Sequence, residues 1–157
     1  MSPDRSTCDI YAICELPTGE TVVLDFSHNK VKLLDKKYQV LSHCYVSQYS
    51  YDLCLISSSE IVVTMNEKYI RVRDEEPVHE LQMISVKNNR LYKGWKLLLL
   101  YKSIGIANHE DDLYVTSGTA LYQYTLTGTL VKKLHDGIFK NTGMHQYSHD
   151  SNNCTNN

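Results

Sequence analysis

Apolar and polar residues alternate along this chain in runs of four to six, broken by turn-forming residues every eight to twelve positions, and no stretch carries a helical period. The pattern predicts an all-β protein. Thr21–Phe26 follows the Pro17-Thr18-Gly19 turn, and Lys30–Leu34 runs through Asp35-Lys36-Lys37 into Tyr38–Leu41. Leu81–Val86 and the run from Leu91 flank Asn88-Asn89, a pair that tolerates the positive φ of a tight hairpin. Leu121–Tyr124 and Leu130–Leu134 flank Thr127-Gly128 in the same way.

The hairpins recur. Ile10–Cys14 leads through Pro17 and Gly19 to Thr21-Val22-Val23-Leu24, and Tyr51–Leu55 leads through three serines to Ile61-Val62-Val63-Thr64. Ile104–Ala107 leads through 109–112 to Leu113-Tyr114-Val115-Thr116. With Thr21, Ile61 and Leu113 equivalent, the spacings are 40 and 52 residues, and the excess equals a charged segment, Asn66 to Pro77, that reads as a loop insertion. A period of roughly 40 to 45 residues with about four strands per unit is the signature of β-propeller blades. The expectation is a partial β-propeller of about three four-stranded antiparallel blades, at about 9–50, 51–102 and 103–137. Residues 1–8 form a lead-in, and 138–157 a polar, Asn-rich tail without enough apolar content to order itself. The alternative is a β-sandwich, which would show the same short strands without the recurrence.

Composition narrows the classes of function. Sixteen Lys plus Arg against eighteen Asp plus Glu leave a net charge of −2, no field for gathering polyanions. Runs such as Leu97–Leu100, continued by Tyr101, fall far short of the ~18 apolar residues of a membrane-spanning helix. The start, Met1-Ser2-Pro3-Asp4-Arg5, lacks the look of a secretory signal, and the five scattered cysteines do not resemble a disulfide framework. These features together predict a cytoplasmic chain with reduced thiols and no contact with membranes. Twelve tyrosines against two phenylalanines suit half-buried pleated surfaces whose hydroxyls reach water.

Cys8-Asp9-Ile10-Tyr11-Ala12-Ile13-Cys14-Glu15-Leu16-Pro17, with Asn29–Asp35, resembles the opening blade of the C-terminal, NHL-like propeller of invertebrate tripartite-motif (TRIM-like) proteins. Val78-His79-Glu80-Leu81-Gln82 and Leu113–Tyr124 fit the same family, so the resemblance spans about residues 8 to 136. It implies a substrate-recruiting propeller related to ubiquitin ligases. The zinc-ligand array and heptads that carry ligase activity in that family have no counterpart in this sequence, so only the scaffold carries over.

Candidate chemistry is sparse. His79-Glu80 opens like a zinc-protease motif, but Met83 stands where the second His belongs. Glu110-Asp111-Asp112 lacks the glycine and closing glutamate of a calcium loop and reads as a turn. His145, His149 and Cys154 have metal-compatible spacing in a tail with no core to fix them. Cys14 and Cys54 hold matching positions in two blades and read as small hydrophobes between them. The expectation is therefore no catalytic residue, no cofactor and no metal.

A protein-interaction module follows as the primary reading. The alternative is an RNA-binding surface, because Lys87, Arg90, Lys93, Lys96 and Lys102 interleave with Tyr92, Trp95 and Tyr101. The candidate contact residues are Lys87, Arg90, Tyr92, Lys93, Trp95 and Lys96. A six-bladed ring would need about 250 residues, so three blades are also expected to self-associate.

Overall fold

A computed structural model describes residues 7–67 and 77–137. Those residues form twelve strands and no helix: β1 (Ile10–Glu15), β2 (Thr21–Asp25), β3 (Lys30–Leu34), β4 (Val40–Tyr45), β5 (Leu53–Ser57), β6 (Glu60–Asn66), β7 (His79–Lys87), β8 (Arg90–Leu99), β9 (Gly105–His109), β10 (Asp112–Thr116), β11 (Ala120–Thr125) and β12 (Leu130–Asp136). Each consecutive group of four makes one antiparallel meander, giving three four-stranded sheets. No helix among the described residues is long and apolar enough to cross a membrane.

Local chemistry closes the hairpins. Asn88 and Asn89 both take positive φ, 50° and 59°, as do Glu110 and Asp111 at 49° and 63°; short polar side chains accept this left-handed backbone at least cost. Gly19 sits at φ 94° with the Lys36 side chain against its α-carbon, so a Cβ there would meet both backbone strain and Lys36 Cε at 2.6 Å.

The sheets stack face to face and bury two apolar layers. Between the first and second sheets lie Val22, Leu24, Val31 and Leu33 against Leu53, Ile61, Val63, Met65 and Ile84. Between the second and third lie Val62, Leu81 and Leu99 against Ile106, Leu113, Val115 and Tyr124. Each fully buried Leu, Ile or Val contributes about 1.5–3 kcal/mol. The second sheet is covered on both faces, which is why β6 is buried along nearly its whole length, whereas β12 is exposed throughout. The first strands β1, β5 and β9 lie side by side along one edge of the stack, and β4 lies beside β8 at the other.

One irregularity redirects side chains. Between Gln82 and Ile84 of β7, the facing residues on β8 jump from Lys96 to Lys93, so β8 carries an extra residue. The Gln82 Nε2 group fills the bulge, donating to the carbonyls of Met83, Gly94 and Trp95 at 2.8, 3.1 and 3.1 Å.

Candidate functional site

Because β1, β5 and β9 all start at the same end of the stack, the connections 26–29, 46–52, 100–104 and 117–119 converge there. Asn66, at the end of β6, ties that end together. Its Nδ2 donates to the carbonyls of Tyr49 and Ser103, both at 2.8 Å, and its Oδ1 accepts from the Ser103 amide at 3.0 Å. His79 Nδ1 also meets Asn66 Oδ1 at 3.0 Å, and burial and the Lys102 charge both pull the His79 pKa down, favouring a neutral ring with its proton on Nδ1. Asp52 locks the third sheet on, accepting from the Ile106 amide at 2.8 Å. These bonds, of which the pair between Asn66 and Ser103 is fully buried, brace the end.

On this base three aromatic rings stack. Tyr11, in β1, lies 4.3 Å from Phe26, the first residue after β2, with planes 6° apart, and Tyr51, just before β5, lies 6.0 Å from Phe26. Lys102 Nζ sits 4.8 Å over the Tyr51 ring. Tyr11 keeps 51% of its surface in solvent, so the stack is presented rather than buried.

Beside the stack, on the uncovered face of the first sheet, Asp25 is a fully buried hub. Its Oδ2 accepts from Lys32 Nζ at 2.5 Å and meets His28 Nδ1 at 2.8 Å. Burial works against its ionisation, but hydrogen bonds from Lys32, Cys8 and His28 and the Lys32 charge outweigh that and hold the carboxyl at about 2. Lys32 Nζ also reaches Cys8 Sγ at 3.5 Å. Cys8, Asp25 and His28 are, among the described residues, the group whose ligand atoms come close enough to hold a metal, all lying within 4.8 Å of one another. The thiols of Cys14 and Cys54 are different: burial pushes them up to about 11 and about 12, away from thiolate reactivity.

The basic and aromatic residues of 87–96 lie on β7 and β8 and do not share one surface. Lys87, Arg90, Tyr92 and Lys93 are exposed around the β7–β8 hairpin, at the end of the stack away from the aromatic rings. Past the bulge, Trp95 packs against the layer between the second and third sheets. Lys96 pairs with Glu80 at 2.7 Å. His79-Glu80 lies in a strand, and Glu110-Asp111 forms a turn. The segment 68–76, the tail with His145, His149 and Cys154, and most of the lead-in lie outside the described residues.

No protein-family model matches the sequence, and no curated protein matches it. Solved structures do. A virginiamycin B lyase from Staphylococcus aureus superposes with a TM-score of 0.58 at 14% identity, over 82% of this chain and 42% of that one. A protein of unknown function from Bacteroides caccae gives a TM-score of 0.41 at 9% identity, over 85% of this chain and 63% of that one. A streptogramin B lyase gives 0.39 at 12% identity, over 79% and 53%. The chain thus spans less than half the length of the lyase it superposes on best among these three. At such identities the likeness shows the fold: the three sheets are stacked as the blades of a β-propeller.

Proposed function

We propose that this chain is a non-catalytic protein-binding module, a propeller segment that engages its partner with the end carrying Tyr11, Phe26, Tyr51 and Lys102. The observation that carries this reading is the presented ring stack under a lysine, on a base braced by Asn66 and Asp52. Rigid aromatic anchors such as Tyr are among the side chains that dominate protein interfaces, since they bury large area at little entropic cost. The resemblance of Cys8–Pro17, Val78–Gln82 and Leu113–Tyr124 to TRIM-like propellers supports a substrate-recruiting role. The similarity to a lyase is one of fold at 14% identity, so its activity is not carried over. Burial, which pushes the Cys14 and Cys54 thiols up, makes these two side chains poor nucleophiles.

Affinity capture from cytosol, with the wild-type chain against Tyr11→Ala/Lys102→Glu, tests the proposal. A saturable protein partner retained by the wild type and lost at least tenfold by the variant is expected; equal capture by both overturns the placement of the interface. The joint exposure of Lys87, Arg90, Tyr92 and Lys93 favours a second reading, RNA binding at the opposite end. That reading requires single-stranded RNA affinity that falls with salt and with Arg90→Ala/Lys93→Ala. The open sheet faces further lead us to propose that the chain associates with copies of itself.

A further inference from the structure

We propose that Cys8, Asp25 and His28 form a zinc-binding site, with Lys32 acting as the cation that holds the site in the absence of metal. The three residues come from the lead-in, the end of β2 and the β2–β3 turn, and their sulfur, oxygen and nitrogen atoms all fall within 4.8 Å. A thiolate, an imidazole and a carboxylate are the donor set of zinc, a borderline-soft ion. With bonds of about 2.0 to 2.3 Å, tetrahedral ligand atoms stand about 3.3 to 3.7 Å apart, so the group needs to adjust by roughly 1 Å.

The surroundings hold the ligands in place. Ser27 donates to Asp9 Oδ2 at 2.7 Å and the Phe26 amide donates to the Asp9 carbonyl at 2.8 Å. Both bonds pin the residue next to Cys8 against the residues just before His28. The His28 amide reaches Asp25 Oδ1 at 3.3 Å, an orienting contact of the kind that supports metal ligands. Asp25 is fully buried and Cys8 is exposed, so an ion enters from solvent past the sulfur and leaves a fourth position open.

Lys32 makes the site conditional. Its ammonium touches both Asp25 and Cys8, the place where a cation is favoured. Zinc balances the thiolate and carboxylate charges by itself, so its binding must turn the Lys32 side chain outward. Removing the ammonium therefore tightens the site.

Cobalt(II) titration of the full chain tests this, because a cobalt–thiolate bond gives a near-ultraviolet charge-transfer band and four-coordinate cobalt gives strong visible bands. One cobalt per chain is expected, displaced by zinc, with the charge-transfer band abolished in Cys8→Ser. Affinity should fall at least tenfold in His28→Ala and rise at least tenfold in Lys32→Met, with circular dichroism unchanged in Cys8→Ser. A band that survives Cys8→Ser places the ion on another cysteine and overturns the proposal. So does the absence of a band from both the wild type and Lys32→Met.

Discussion

At the scale of single residues, Asp25 stands out by its position. With Thr21 equivalent to Ile61, Asp25 corresponds to Met65, which packs in the layer between the first and second sheets. The first sheet has no described sheet on that face, and there the apolar residue is replaced by a carboxylate with no exposed surface, neutralised by Lys32, itself 19% exposed. A buried charge that loses its partner costs about 3–5 kcal/mol, less where the survivor can turn to solvent. Asp25→Asn should therefore lower stability by about 2–3 kcal/mol in urea unfolding at neutral pH, and adding Lys32→Met should restore at least half of that. Equal losses in the single and double variants would show that the pair is not coupled. Position 25 reads in the sequence as the polar end of a strand. Its burial comes with His28 from the turn 26–29, Lys32 from β3 and Cys8 from the lead-in gathering on its carboxylate, which no periodicity announces.

Strands were legible because a half-buried pleated sheet leaves a period of two, and the hairpins because Asn88-Asn89 and Gly19 supply backbone that other residues resist. The bulge in β8 was not legible. It depends on Gln82, one strand away, holding three carbonyls that the ladder leaves over. Its effect reaches Lys87–Lys96, a single strip in sequence, by sending Leu91 to the layer below the second sheet and Trp95 to the layer above it. Gln82→Leu removes the only bonds these carbonyls are shown to make to a side chain, each worth about 1 kcal/mol net, so a loss of about 2 kcal/mol is expected. The lone tryptophan, Trp95, reports it directly: its emission should shift to the red as β8 loosens. Unchanged emission and stability would mean that β8 keeps the bulge without Gln82.

For the whole molecule, the recurrence of Thr21, Ile61 and Leu113 gave the stacking, because residues that repeat at one register face the same way in each sheet. The aromatic cluster proposed as the contact surface was hidden for the same reason: Tyr11, Phe26, Tyr51 and Lys102 sit at strand ends and connections of different sheets, and only the stacking brings them together. Stacking also has a cost. Closed propellers carry about four to eight blades, so among the described residues the three sheets present two end faces, and each outer edge has backbone groups that seek partners. The first sheet's free face exposes Ile13 and Tyr45 at 66% and 61%, and β12 exposes Leu130, Val131 and Leu134. Apolar surface of this kind drives association. Light scattering of the 157-residue chain should thus give a mass above that of the monomer that rises with concentration. Ile13→Glu/Tyr45→Lys should lower that mass while leaving the circular dichroism of the sheets intact, since neither side chain belongs to a buried layer. A monodisperse monomer at every concentration would show instead that the two covered layers hold three sheets without a further partner.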